Sequence, residues 1–380
     1  MRDLARILTA LAGGALAALG FVLGAVWLIW PFLNRADRLA GATLLAGVAA
    51  LAVMYGGILI VRAVHRGDGA GWWPPAWVTL LAWVIVLALG AAVRGTAETS
   101  VFALWLLSML AVLGIGLPVL GILAFAMRRS WPPAGPVMGQ LVFGGTIAVL
   151  VSVLVQLGLL LTLGALTLAL VGQSVSLGDW LAALLRGDLG ALGDLRAAPL
   201  LLAATFLARV IIAPLVEEAT KAMTLPLWSG WQPTRERGIV WGLAAGLGFA
   251  LTEGLLLGAP LAVAGAWWPV MIGWAGTAVV QGVATGMVGL GWWRARERRN
   301  LWQLVGAYLA AVFAHGFWNL TGLARTLIAD VPMGTVTTTE PALDVVFGDL
   351  VGVLGALALL AVLAGVLIRV TSRSRGAEIG

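Results

Sequence analysis

The chain has 380 residues, of which 61% are hydrophobic and only 11% charged, with a mean hydropathy of +1.02. A soluble globular domain carries about 25% charged residues, so the composition excludes that class and describes a polytopic membrane protein. The absence of cysteine excludes disulfides and thiolate metal sites. The net charge of +6 gives no reason to expect a nucleic-acid partner, because the arginines sit in short loops between apolar runs.

Apolar runs of the length a span needs, about 20 residues, occur in chain order near 7–33, 39–61, 75–93, 101–127, 137–171, 199–228, 238–258, 267–293, 301–323 and 345–368. No strand-like alternation at barrel spacing occurs, so the spans are helices. The fold class is all-α, a transmembrane helical bundle of about ten spans embedded in a lipid bilayer. The first run follows Arg2 and Arg6. It is too long for the apolar region of a signal peptide and lacks a clear small-residue cleavage site, so it reads as an uncleaved anchor. The run 137–171 exceeds one straight span, which implies either tilt or projection beyond the membrane. Between spans five and six, LGDWLAALLRGDLGALGDL sets Leu and Trp at helical spacing with Asp and Arg between them. This pattern predicts a short amphipathic helix on the outer surface. Tryptophans at span ends, such as Trp72, Trp73, Trp131, Trp228, Trp267 and Trp292, form an aromatic belt.

Loop arginines set the orientation. With both termini cytoplasmic, Arg62, Arg66, Arg128, Arg129, Arg235, Arg237, Arg294, Arg296, Arg298, Arg299, Arg373 and Arg375 all fall inside. The outer segments keep only Arg35, Arg38, Arg94, Arg186, Arg196 and Arg325. The expected organisation is a five-span region without buried charges (1–172), an outer amphipathic segment (173–198), a four-helix core (199–323), an outer loop (324–344), and a last span with a basic cytoplasmic tail (345–380).

Within the membrane, ionisable groups cluster in spans six, seven and nine: Arg209, Glu217, Glu218, Lys221, Glu253 and His315. Span eight adds Gln281 and span nine adds Asn319, whereas spans one to five offer chiefly Gln140 and Gln156, which helix-to-helix hydrogen bonding explains. At 1.5 Å per residue, Glu218, Glu253, Gln281 and His315 lie about 15, 22, 18 and 21 Å from the cytoplasmic edge. Four helices thus present polar groups near mid-membrane, where ionisable residues mark a functional site by default. Lys221 is the sole lysine among 23 basic residues. It stands four residues after Glu217, the favoured order for a helical ion pair. Glu217 and Glu218 point about 100° apart around the helix, so the second glutamate needs another partner, for which Arg209 is one candidate. Pro214 interrupts the helical ladder just before the pair. Glu253 has no cation in its own span and must be protonated, metal-bound or paired across helices. His315 and Asn319 share one helical face. Gly242 and Gly246 form a stripe that admits a neighbouring helix.

The set EEATK (Glu217, Glu218, Lys221), GLGFALTE (Phe249, Glu253) and HGFWN (His315, Asn319), on three buried helices, resembles the PrsW family of intramembrane proteases. That family is related to the CAAX prenyl endopeptidases and bacteriocin-processing membrane proteases. The resemblance covers residues 199–323. It implies hydrolysis of a peptide bond in a membrane-embedded protein, such as an anti-sigma-factor-like regulator, in a bacterial or archaeal cytoplasmic membrane. It also implies that Glu217 or Glu218 acts as general base. Glu253 and His315 would hold the water directly or through a divalent metal such as zinc, Asn319 would donate to the oxyanion, and Lys221, Phe249 and Gln281 would support them. Two positions depart from the pattern. Gly254 stands where the family tends to have Asn, and Gln281 stands where a His is expected. The second departure supports an alternative, a pseudoprotease that binds membrane segments without cutting them. A proton- or cation-coupled transporter is a third reading, against which no inverted repeat is evident.

Overall fold

The structure, a computed structural model, describes residues 2–33, 38–64, 74–97, 99–130, 134–171, 176–180, 199–225, 234–264 and 267–329. Among the described residues the regular structure is helical, and nine helices are long and apolar enough to cross a membrane. They are α1 (Arg2–Leu33), α2 (Arg38–Val64), α3 (Ala76–Ala97), α4 (Val101–Ser130), α5 (134–171), α6 (Pro199–Ala222), α7 (Arg235–Ala264), α8 (Trp267–Glu297) and α9 (Trp302–Ala329). These are the first nine expected spans. The tenth, 345–368, lies outside the described residues, as does the outer amphipathic segment beyond Trp180.

Some ends differ from the hydropathy reading, each for a local reason. α6 stops at Ala222 rather than near 228, and its last carbonyls are closed by tight turns from Met223 N–H to Thr220 and from Leu225 N–H to Ala222. Pro226 follows, and a proline disfavours helix at the residue before it. α9 continues through Ala329, past the expected end at 323, since the first proline beyond it is Pro332.

Three helices contain a π-helical segment: Gly144–Ala148 in α5, Leu207–Ile212 in α6 and Gly254–Gly258 in α7. Two of these come just before a proline. Pro214 and Pro260 lack the N–H that an α-helical carbonyl one turn back would accept. The ladder widens instead, with Ala213 N–H reaching Ala208 O and Ala259 N–H reaching Gly254 O. The segment in α5 has another origin. Gly144 and Gly145 press against the α7 backbone at Ala245 and Gly248, and Thr252 Oγ1 donates to Gly145 O at 2.7 Å.

α7 is the central helix, buried along most of its length. Lipid gives helices no hydrophobic reason to associate, so close backbone approach has to do that work. Gly238, Gly242 and Gly246 supply it. A Cβ at any of the three would run into the α8 backbone, at Gly289, Thr285 and Gln281 respectively. The glycine stripe therefore sets the height of Gln281 and Thr285 against α7. On another face of α7, Tyr55 of α2 reaches Thr252 Oγ1 at 2.9 Å and donates to Gly248 O at 3.2 Å.

Candidate active site

The final α-helical turns of α6, Ala213–Ala222, carry Glu217, Glu218 and Lys221, all buried. Lys221 serves both glutamates. Its Nζ donates to Glu218 Oε1 at 2.8 Å and more loosely to Glu217 Oε2 at 3.4 Å. The same ammonium lies 4.3 Å from the centroid of the Phe249 ring on α7, a cation–π contact. A buried ammonium with two carboxylates and an aromatic face around it is well compensated, which is what makes its burial tolerable.

Glu218 is the fully engaged member of the pair. Besides Lys221, its Oε1 faces His315 Nδ1 on α9 at 2.9 Å, and its Oε2 accepts from Thr285 Oγ1 on α8 at 2.9 Å. Three helices thus close on one carboxylate. Glu217 is held more loosely. Gln156 Nε2 of α5 donates to its Oε1 at 3.3 Å, and His315 Nε2 stands 3.7 Å from its Oε2. The two ring nitrogens of His315 therefore address two different glutamates.

Glu253 is the last residue of α7 before the π segment, and its Oε2 accepts from Gln281 Nε2 at 2.6 Å. It lies within Coulombic reach of Glu217, Lys221 and His315, so it belongs to the same cluster. Gln281 Oε1 is, among the described residues, the one buried side-chain oxygen without a hydrogen-bond partner.

The HGFWN segment of α9 also secures the proline-interrupted part of α6. Asn319 Nδ2 donates to the carbonyl of Arg209 at 3.0 Å, inside the π segment. A Cβ on Gly316 would meet the carbonyl of Val210 at 2.5 Å, so glycine is required for this approach. Tyr308 donates to the carbonyl of Leu215 at 2.6 Å. Arg209 itself lies within Coulombic reach of Glu253.

Of the residues singled out from sequence, Glu217, Glu218, Lys221, Phe249 and His315 meet directly, and the Glu253–Gln281 pair adjoins them. Asn319 shares the α9 face of His315 but spends one N–H on the α6 backbone. Three participants, Thr285, Gln156 and Tyr308, are not among the residues that the sequence motifs single out. Thr285 follows Gln281 by one turn and so shares its face, which is a readable signal. Gln156 is, with Gln140, one of two amides in a helix without ionisable groups, also readable. Tyr308 carries no signal beyond being one of two tyrosines. Among the described residues, no group of three or more His, Cys, Asp or Glu side chains is arranged to hold a metal ion.

The arrangement suits hydrolysis: carboxylates, an oriented imidazole and a fixed cation gathered in a water-poor interior. No curated protein and no solved structure matches the chain. A family model does, over residues 132–347, under the description PrsW family intramembrane metalloprotease. The matched stretch is more than half of the 380 residues, and it begins before α5, the helix that brings Gln156 to Glu217. This integral, multi-pass membrane protein therefore belongs to the PrsW family of intramembrane proteases.

Proposed function

We propose that the peptidase cuts a membrane-protein substrate within or beside a transmembrane segment, with Glu217 as the general base. The observation that carries this reading is the asymmetry of the glutamate pair. Glu218 has short contacts to Lys221, His315 and Thr285 and is 0% exposed, whereas the contacts of Glu217 are 3.3–3.7 Å and it is 6% exposed. A carboxylate fixed on every side orients its neighbours. A loosely held one is free to take a proton.

Glu218 accepts the Nδ1 proton of His315, which fixes the tautomer and leaves Nε2 as an acceptor. A polar gap longer than 3.5 Å is one that a water can bridge, and the gap between His315 Nε2 and Glu217 Oε2 is 3.7 Å. A water there donates one hydrogen to each and keeps a lone pair for the peptide carbonyl, with Glu253 flanking it from α7. As the water oxygen bonds to the carbonyl carbon, its proton passes to Glu217. When the C–N bond breaks, that proton goes to the leaving nitrogen. Asn319 acts at a distance, by holding the α6 backbone that presents the pair.

The depth of the site supports a substrate in the bilayer. His315 is about 20 Å along α9 from Trp302 at 1.5 Å per residue. The metal implied by the family description does not fit the side chains gathered here. A catalytic zinc takes three protein ligands, whereas among the described residues no three His, Cys, Asp or Glu side chains are gathered to hold an ion. No step above is routed through a metal.

The test compares membrane-protein fragments, by terminus-selective proteomics, in cells expressing wild type or Glu217→Gln at equal abundance. A fragment ending near a transmembrane segment and produced only by wild type establishes cleavage and names the substrate. Identical fragment sets from two folded, equally abundant proteins reject the reading in favour of binding without cleavage.

A further inference from the structure

The family description names a metalloprotease, and the side chains at the site do not supply a metalloprotease's ligands. We propose that this chain works without a resident metal ion: Lys221 is the site's permanent cation, and the Gln281 amide occupies the place from which a metal ligand would have completed the set. The inference rests on the hydrolytic reading above and concerns what provides its positive charge.

Three observations carry it. First, the ammonium of Lys221 already lies among the groups that a metal would need. It is 2.8 Å from Glu218 and 3.4 Å from Glu217, with the Phe249 ring on a further side. A divalent ion sharing those carboxylates would face an immobile positive charge one contact away, in a medium where screening is weak. Second, one oxygen of Glu253 is already engaged by an amide N–H. Gln281 Nε2 donates to it at 2.6 Å, and a carboxylate oxygen so engaged is directed at that donor. Third, the remaining buried acceptor, Gln281 Oε1, is a neutral amide oxygen, whereas zinc selects imidazole, thiolate and carboxylate. That oxygen is unpaired and beside Glu253, so a backbone N–H of the bound peptide is the donor it suits. Lys221 then does electrostatically what a Lewis acid does elsewhere, offsetting negative charge as the tetrahedral intermediate forms.

The experiment is metal analysis of the full-length protein in detergent, after exposure to zinc and dialysis, by inductively coupled plasma mass spectrometry. No substrate is needed, so the result stands whether or not the cleavage test succeeds. Wild type is expected to hold far less than one zinc per chain at this site. Gln281→His, which sets an imidazole beside Glu253, is expected to approach one zinc per chain and to melt at higher temperature with zinc than without. Zinc that remains in both His315→Gln and Glu253→Gln is bound elsewhere in the chain and agrees with the proposal. About one zinc per wild-type chain, lost in His315→Gln, overturns it. A folded Gln281→His protein that stays zinc-free overturns the role given to Gln281.

Discussion

His315 Nδ1 and Glu218 Oε1 lie 2.9 Å apart although 97 residues separate them in the chain. This bond joins α9 to α6, and it presents the other nitrogen of the ring to Glu217. The two acids of one dipeptide are thereby given different duties. One sets the imidazole, and the other faces it across a gap.

That division predicts different phenotypes for two isosteric changes. Glu217→Gln is expected to abolish cleavage with little change in melting temperature. Glu218→Gln is expected to abolish cleavage and also destabilise the protein by about 3 kcal/mol, because removing one partner of a buried ion pair typically costs about 3–5 kcal/mol. Thermal unfolding in detergent with parallel fragment analysis distinguishes them. Equal melting temperatures for the two variants would contradict the assignment of Glu218 as the structural acid.

Lys221→Met leaves two buried carboxylates without their cation. We expect a loss of about 3–5 kcal/mol. Adding Glu218→Gln to Lys221→Met should give a smaller loss than the sum of the two, since the second change relieves the charge that the first exposed. A double-mutant cycle measures this coupling, and strict additivity would mean that the 2.8 Å contact carries no energy.

Asn319 and Pro214 are coupled through one carbonyl. In the π register Ala213 N–H goes to Ala208 O and Pro214 has no N–H to give to the next carbonyl, that of Arg209, which accepts from Asn319 at 3.0 Å. Asn319→Ala is expected to cost about 1–3 kcal/mol, the usual penalty for an orphaned buried polar group. In a Pro214→Ala background, where a backbone N–H returns, the same change should cost clearly less. Melting temperatures of the four proteins check it.

Gly246→Val places a branched side chain against the α8 backbone at Gln281. Overpacking of this kind costs about 1–3 kcal/mol or more. The displacement separates α7 from α8 at the height of the Glu253–Gln281 contact, so cleavage should fall further than stability alone explains. Measuring cleavage per folded molecule separates the two effects.

Much of this architecture is legible in the sequence. The nine placed helices follow from apolar length alone, because a bilayer imposes one thickness on every span. The convergence of Glu218, Gln281 and His315 follows from counting rises along alternating helices. Rotation about each helix axis is not legible in the same way. Depth says that Thr285 and Gln156 can approach the pair, but only the glycine contacts of α7 and the π segments decide which way those side chains face. The same limit hides the use of Asn319. By spacing it shares the face of His315, yet it is the carbonyl freed by Pro214, on another helix, that claims its N–H.

The π segments make residue count a determinant of chemistry. A π turn accommodates a residue beyond what the α-helical ladder would, and each residue turns a helix by about 100°. Deleting one residue between the Leu207–Ile212 segment and the glutamate pair, at Leu215 or Val216, where the α-helical ladder has no such slack, would leave the hydropathy of α6 almost untouched and would still permit a full crossing of the membrane. It would also swing Glu217 and Glu218 round by about a quarter turn or slightly more, taking Glu218 away from His315. Beyond the π segment of α6, a length change of one residue thus takes the glutamate pair off its face, while every acidic residue remains in the sequence.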